Sequence, residues 1–194
     1  MTDVVLFHHA LGQTSGFRSF AETLRAAGHI VHTPDLFEGR AFDSIEAGMA
    51  YANEVGFPDG ILTRAARAID GLPPDAVYAG FSLGVVPAQY LAQTRDGARG
   101  ALLFYSCVPP EAFGAPWPDG LPAQVHGMDA DPFFVDEGDL AAAQALTDAN
   151  PEVELFLYSG DQHYFADSSL PSFRPEATAL LTERVLSFLD RARR

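Results

Sequence analysis

A single serine stands between two glycines in the segment YAGFSLGVVPAQ, residues 78–89, directly after a short apolar run. In a nucleophile elbow, a strand ends in a tight Gly-x-Ser-x-Gly turn, here residues 80–84, and a helix begins near Leu83. This turn would lift the Ser82 hydroxyl above the sheet edge and aim the N–H of Leu83 at the oxygen of a carbonyl under attack. The alternative is a glycine-rich turn without chemistry, because short motifs of this kind recur by chance. The segment alone leaves both interpretations open.

A serine hydroxyl is a weak nucleophile and needs a base within hydrogen-bond reach, which a carboxylate must orient. We predict that the base is His163, because it lies in YSGDQHYFAD, after an apolar run and before the last helical pattern. The other five histidines follow, flank or lie within other predicted strands and are less favoured: His8, His9, His29, His32 and His126.

The orienting carboxylate is predicted in the segment HGMDADPFF, which offers Asp129 and Asp131. Asp131 is preferred because the proline after it restricts its backbone and so helps to fix the direction of its side chain. Asp161 lies only two residues from His163, a spacing that more often gives a local turn hydrogen bond. The chain order Ser82, Asp131, His163, with each residue after a predicted strand, is the order expected of an α/β-hydrolase sheet.

The segment HHALG, residues 8–12, follows the first predicted strand, where α/β-hydrolases supply a second oxyanion donor. A backbone N–H of either Ala10 or Leu11 would join that of Leu83. Loss of one such donor raises the barrier by on the order of 3 kcal/mol, so we expect two. The two histidines of the segment either take part in the site or pack and hydrogen-bond around the turn, and both interpretations stay open.

Short apolar runs alternate with helical patterns along the chain. The predicted strands are Val4 to Phe7, Ile30 to Thr33, Ala76 to Ala79, Ala101 to Tyr105, Ala123 to His126 and Val153 to Tyr158. The predicted helices are Phe17 to Ala27, Leu62 to Ile69, Val85 to Gln93, Leu140 to Ala149 and Ala177 to Leu189, the last followed by Arg191, Arg193 and Arg194. This alternation predicts an α/β fold, a mostly parallel sheet of about six strands with helices on both faces and chemistry at the carboxyl ends of the strands.

The composition narrows the class of protein. With 194 residues, 47% of them apolar, the chain fits one soluble domain, residues 1–194, without a large cap. Acidic residues outnumber basic ones by 26 to 12, and the formal charge of -14 disfavours nucleic acid and anionic membranes as partners. No apolar run approaches the ~20 residues of a membrane span, and no signal-peptide pattern precedes Val4, so we expect a cytoplasmic protein.

The only cysteine, Cys107, cannot form an internal disulfide. No Cys and His residues are clustered at the spacing of a structural zinc site, so no metal is predicted. Cys107 is interpreted as a small packed residue, because it follows the fourth predicted strand and lacks the glycines of an elbow.

Taken together, these segments resemble the dienelactone hydrolase family, a compact branch of the α/β-hydrolases. The likeness covers nearly the whole chain and rests on LFHHALG, PDLFEG, GFSLG, HGMDADPFF and YSGDQHYFADSS. It implies a nucleophile at Ser82, an acid at Asp131 and a base at His163. Family members that open dienelactones typically carry a cysteine at the nucleophile position and a glutamate in the first-strand loop, where this chain has Ser82 and His9.

Several side chains near these segments are candidates for an apolar substrate pocket. They are His9, Phe81, Phe113, Trp117, Phe133 and Tyr164. For each of the aromatic residues, packing in the core is the alternative. The stretch from Cys107 to Pro122, rich in Pro and Gly, is interpreted as an ordered rim over the site, the alternative being a plain surface connection.

These residues predict a serine hydrolase that cleaves a small-molecule ester or lactone through an acyl-enzyme and requires no cofactor. Two other functions stay open. One is a non-catalytic protein that binds a small ligand on a hydrolase scaffold, and the other is an acyltransferase that uses an acceptor other than water.

Overall fold

The computed structural model describes residues 1–192, so that Arg193 and Arg194 lie outside the described residues. Its centre is a six-stranded sheet in which all neighbouring strands are parallel, in the order β2-β1-β3-β4-β5-β6. The strands are β1 Asp3–Phe7, β2 Ile30–His32, β3 Val77–Phe81, β4 Gly100–Phe104, β5 Ala123–Met128 and β6 Val153–Tyr158. The predicted parallel sheet is thereby confirmed.

The strands form where the sequence has continuous apolar runs, because their side chains are buried on both faces of the sheet. Every residue of β3, β4 and β5 is buried, whereas β6 lies at the sheet edge and exposes Leu157. The third strand runs two residues further than expected and ends at Phe81, so the turn that carries Ser82 starts directly from the last strand residue.

Seven α-helices cover the sheet within the described residues. They are α1 Ser15–Ala26, α2 Ile45–Val55, α3 Asp59–Ala68, α4 Val85–Thr94, α5 Pro132–Asp136, α6 Asp139–Ala149 and α7 Pro175–Arg191. The sequence patterns predicted five of them and missed α2 and α5. No helix in the described part of the chain is both long and apolar enough to cross a membrane.

Two hydrophobic layers hold the helices on opposite faces of the sheet. Alternate residues of β1 point to opposite sides, so Val4 and Leu6 pack with α1 and α7 while Val5 and Phe7 pack with the remaining helices. The predicted helices on both faces are thereby confirmed. Because every strand is parallel, the loops that follow the six strands meet at one edge, and Ser82, Asp131 and His163 all lie in these loops.

Candidate active site

Ser82 lies on a strand-turn-helix junction whose backbone is strained. It follows β3, begins a short 3-10 turn, Ser82–Gly84, and has a φ of 49°, in the left-handed region that non-glycine residues rarely adopt. The turn is tight enough to exclude side chains at both glycines. A Cβ on Gly80 would lie 2.0 Å from the carbonyl oxygen of Gly84, and one on Gly84 would lie 2.6 Å from that of Phe7. The sequence therefore needs glycine at both positions to hold the serine above the sheet.

The structure brings Ser82, His163 and Asp131 together at the carboxyl edge of the sheet. The Oγ atom of Ser82 lies 2.9 Å from Nε2 of His163, and Nδ1 of the same ring lies 2.6 Å from Oδ2 of Asp131. Because a carboxylate only accepts hydrogen bonds, Nδ1 carries the proton, and Nε2 is left to accept the serine hydroxyl. This arrangement can deprotonate Ser82 as it attacks a carbonyl carbon.

The side chain of Asp131 is fixed from both of its oxygens. It is fully buried, and Oδ1 accepts a hydrogen bond from the backbone N–H of Phe133, which caps the N-terminus of α5. Oδ2 is thereby directed at His163. The other candidate of this segment, Asp129, instead accepts from the N–H of Gly160.

The loop after β1 offers one free backbone donor to the site rather than two. The N–H of Leu11 donates to Nδ1 of His9 at 3.2 Å and is therefore engaged. The N–H of Ala10 faces the Tyr164 hydroxyl, beside Ser82. Of the two donors left open by the sequence, the geometry thus favours Ala10 as the partner of Leu83.

The first-strand loop is held in place by a buried histidine and a carboxylate. Nε2 of His9 lies 2.9 Å from Oδ2 of Asp167, which also accepts from the hydroxyl of Thr14. Burial lowers the pKa of His9. Since Nδ1 accepts from Leu11, the neutral ring carries its proton on Nε2 and donates to Asp167. Burial raises the pKa of Asp167, but hydrogen bonds from His9, Ser169 and Thr14 outweigh burial and hold that pKa at about 2.

His8 is also engaged in hydrogen bonds around this turn. It is fully buried, its Nδ1 lies 2.8 Å from the carbonyl oxygen of His9, and its Nε2 accepts from the N–H of Leu36. Both histidines of the loop therefore stabilise the turn and reach no side chain of the Ser82–His163–Asp131 set by a hydrogen bond.

Helix α2 packs against the loop after β1 at a position where only glycine fits. A Cβ on Gly48 would lie 1.8 Å from the carbonyl oxygen of Ala10. The absence of a side chain at Gly48 therefore lets α2 lie directly against the loop that carries the candidate donor N–H.

A cleft opens in front of Ser82 and is lined largely by apolar side chains. Besides Ser82, Leu83 and His163, its walls are formed by Ile45, Met49, Phe57, Val86, Tyr105, Ser106, Phe133 and Glu137. Of the predicted pocket residues, Phe133 lies in this cleft, with its ring centroid 4.7 Å from that of His163. Most of the remaining wall was not predicted, although Ile45 and Met49 stand at helical spacing after Ser44, whose hydroxyl caps α2.

The other predicted pocket residues lie outside this cleft. Phe81 and His9 line a small void beneath the site, and Tyr164 is buried beside them with its ring stacked on that of His9. Phe113 packs against Tyr90, and Trp117 is a buried core residue.

The segment from Cys107 to Pro122 is not among the residues that line the cleft, contrary to its interpretation as a rim over the site. The indole N–H of Trp117 donates to the carbonyl of Leu121, so that the indole closes the segment on itself. Cys107 is buried, and burial raises the pKa of its thiol to about 12. This pKa keeps the thiol protonated at neutral pH and makes it a poor nucleophile.

Among residues 1–192, no group of three or more His, Cys, Asp or Glu side chains is arranged to hold a metal ion. The Ser82 hydroxyl lies within hydrogen-bond distance of the imidazole of His163 and beside the phenol of Tyr164, which can transfer protons or donate hydrogen bonds. The site geometry is therefore that of an acid-base and nucleophilic centre.

A parallel sheet with a serine on the tight turn after β3, and with Asp and His supplied after β5 and β6, defines an α/β-hydrolase fold. The model of the dienelactone hydrolase family matches residues 1–193. The chain belongs to that family. Family membership makes the protein a hydrolase that acts on a small-molecule substrate.

Solved structures share the fold. A dienelactone hydrolase-like promiscuous phosphotriesterase from metagenomic libraries superposes with a TM-score of 0.80 at 18% identity, covering 99% of this chain and 87% of the other. A dienelactone hydrolase from Anabaena variabilis superposes with a TM-score of 0.70 at 17% identity, covering 100% of this chain and 88% of the other. A cold-adapted esterase from an Arctic intertidal metagenomic library superposes with a TM-score of 0.69 at 17% identity, covering 97% of this chain and 82% of the other. No curated protein matches the chain in sequence.

Proposed function

We propose that this protein is a serine hydrolase that cleaves a small carboxylic ester or lactone through an acyl-enzyme on Ser82. The observation that carries the proposal is the continuous hydrogen-bonded series from Ser82 Oγ to His163 Nε2, 2.9 Å, and from His163 Nδ1 to Asp131 Oδ2, 2.6 Å. The names of structural neighbours, which include esterases and dienelactone hydrolases, support the same reaction class.

In the first half-reaction, His163 accepts the Ser82 proton as Oγ forms a bond to the carbonyl carbon of the substrate. The carbonyl oxygen becomes an oxyanion and accepts hydrogen bonds from the N–H groups of Leu83 and Ala10. The C–O bond to the leaving group then breaks, and the departing oxygen takes the proton from the imidazolium. Asp131 stabilises that imidazolium while it is charged.

In the second half-reaction, His163 removes a proton from water, whose oxygen attacks the acyl carbon. The bond between that carbon and Ser82 Oγ breaks, the proton returns to the serine, and the carboxylic acid is released. With a lactone, both product groups remain on one molecule.

The form of the cleft supports a small and largely apolar substrate. Ile45, Met49 and Phe57 line the cleft, and Phe133 lies against the ring of His163. Apolar walls around few polar groups are typical of sites that bind short acyl chains or small lactone rings.

The test is replacement of the nucleophile. We expect Ser82→Ala to abolish turnover of p-nitrophenyl acetate and of short-chain lactones, and to abolish covalent labelling by a fluorophosphonate probe detected by mass spectrometry. The matched control is Ser19→Ala, because Ser19 is exposed on α1 and is distant from Ser82 in the sequence. This variant should retain both turnover and labelling. Undiminished labelling of the Ser82 variant would refute the proposal.

The same assay separates this function from the two alternatives. A protein that only binds its ligand gives no burst of p-nitrophenol, although the ligand raises its melting temperature. An acyltransferase releases p-nitrophenol but diverts the acyl group to an added alcohol or amine, which product analysis detects. We expect a burst followed by steady release of acetate.

A further inference from the structure

The phenol ring of Tyr164 packs against two imidazoles at the candidate site. Tyr164 follows His163 in the chain, and the centroids of the two rings lie 4.7 Å apart. The ring also stacks on His9, with a centroid distance of 4.4 Å and an interplanar angle of 19°. The residue is only 3% exposed, so the position of its hydroxyl is set by packing.

The Tyr164 hydroxyl is buried without a hydrogen-bond partner among the described residues. The other three tyrosines in the described core are paired: the hydroxyl of Tyr78 with Pro74, that of Tyr105 with Ala166 and that of Tyr158 with His126. A buried hydroxyl without a partner reduces stability, and such a group in a native protein calls for an explanation.

Two groups lie beside this hydroxyl, and both belong to the candidate reaction centre. They are the side chain of Ser82 and the backbone N–H of Ala10, although neither makes a hydrogen bond of good geometry with it. Burial raises the pKa of Tyr164 to about 12, and the influence of Ser82 and Ala10 lowers it only in part. The phenol therefore keeps its proton at any pH at which an esterase is assayed, and it can act as a donor.

We propose that Tyr164 is a catalytic residue whose hydroxyl donates a hydrogen bond to the oxyanion of the tetrahedral intermediate on Ser82. This assignment rests on the proposed function. In it, the oxyanion accepts from the N–H groups of Ala10 and Leu83 and from the Tyr164 hydroxyl, and no proton leaves the phenol. The hydroxyl lacks a partner in the free protein because its partner forms only during the reaction, as expected of a group complementary to the transition state.

The first test is Tyr164→Phe, which removes the hydroxyl and keeps the ring on His9. We expect kcat for p-nitrophenyl acetate to fall by about 10- to 100-fold with little change in KM, the pattern of an interaction made only in the transition state. The melting temperature should not fall, because the deleted hydroxyl had no partner. The loss should be equal at pH 6 and pH 9, since the phenol is protonated at both.

The matched control is Tyr158→Phe, which removes a buried hydroxyl that is hydrogen-bonded to His126, away from the cleft. It should give the opposite pattern, a lower melting temperature with kcat retained. If Tyr164→Phe loses stability and keeps its kcat, or gains kcat because the hydroxyl had only filled the oxyanion position, the proposal is overturned.

A second measurement uses an aliphatic trifluoromethyl ketone, which adds to a serine to give a stable oxyanion. Tyr164→Phe should weaken its inhibition by the same factor as it lowers kcat/KM, and unequal factors would contradict the assignment. Failure of this proposal differs from failure of the proposed function. In the first case Ser82→Ala is inactive while Tyr164→Phe is fully active, and in the second Ser82→Ala itself is active.

Discussion

Asp131 combines a structural and an electrostatic role in one carboxylate. One of its oxygens caps α5 through the N–H of Phe133, and the other lies 2.6 Å from the imidazole of His163. The cap fixes the carboxylate, so the ring that it holds has one tautomer and one orientation. We therefore expect the rate to depend on the negative charge of the side chain at position 131.

Replacement of this carboxylate by its amide tests its charge. We expect Asp131→Asn to lower kcat/KM for p-nitrophenyl acetate by about a thousandfold or more, because the amide no longer stabilises the imidazolium and can favour the wrong ring tautomer. The matched control is Asp129→Asn, which alters a carboxylate bonded to Gly160 in the same loop. Similar losses in the two variants would contradict the assignment of Asp131.

For individual residues, the sequence predicted which side chains would lie together, but not which backbone N–H would be free. The three side chains could be predicted because Ser82, Asp131 and His163 each follow a strand of a parallel sheet, whose carboxyl ends share one edge. The choice between Ala10 and Leu11 depends on a hydrogen bond from Leu11 to the ring of His9. No propensity or spacing encodes that bond. The unpartnered hydroxyl of Tyr164 likewise emerges only from the packing of distant segments.

The turn between β3 and α4 leaves no room for a side chain at Gly84. Gly84 meets the carbonyl oxygens of Phe7 and His8, at 2.6 and 2.7 Å from a Cβ placed on it, so any side chain there separates β1 from the turn. These contacts are with backbone atoms, which cannot rotate away as a side chain can.

Alanine substitution measures this constraint. We expect Gly84→Ala to lower the free energy of unfolding by more than about 3 kcal/mol, because it forces backbone segments apart. The control is Gly39→Ala, where φ is 83° and no atom lies within 4 Å of the added Cβ. That variant should lose only the roughly 1–2 kcal/mol of left-handed backbone strain. Urea denaturation gives both values, and equal losses would contradict the argument from close approach.

Helix α2 shows where prediction from pattern failed among the elements. Its buried positions are Gly48 and Ala52, whose small side chains give almost no hydrophobic periodicity. Its larger apolar residues are only partly buried, and two of them, Ile45 and Met49, pack at the edge of the core and also line the cleft. Helices α1 and α7 could be predicted because large apolar residues repeat along their buried faces. The cleft wall was therefore missed for the same reason that the helix was.

For the molecule as a whole, buried histidines couple stability to pH. His126 is fully buried between aromatic rings and hydrogen-bonded to Tyr158, and burial lowers its pKa from 6.5 to about 3. Below pH 6.5 the unfolded chain binds a proton at this residue and the folded protein does not. The stability that the neutral His126 ring contributes is therefore complete above pH 6.5 and is lost progressively as the pH falls towards about 3.

Replacement of the His126 imidazole tests the direction of this pH dependence. Between pH 6 and pH 4, the free energy of unfolding of the parent protein should fall more steeply than that of His126→Gln, by up to about 1.4 kcal/mol per pH unit for the one proton involved. Urea titrations at intervals of half a pH unit measure both slopes, and the difference removes the contribution of the other groups. Parallel slopes would show that His126 is protonated in the folded protein.

The close approach of Gly48 to Ala10 links the shape of the cleft to the position of the loop after β1. Helix α2 contributes Ile45 and Met49 to the cleft and also rests on the carbonyl of Ala10. We expect that changes in side-chain volume at positions 45 and 49, made to alter substrate range, also shift the loop after β1 through this contact. Laboratory evolution of a new specificity should therefore start at Val86 and Glu137, which line the cleft from other segments.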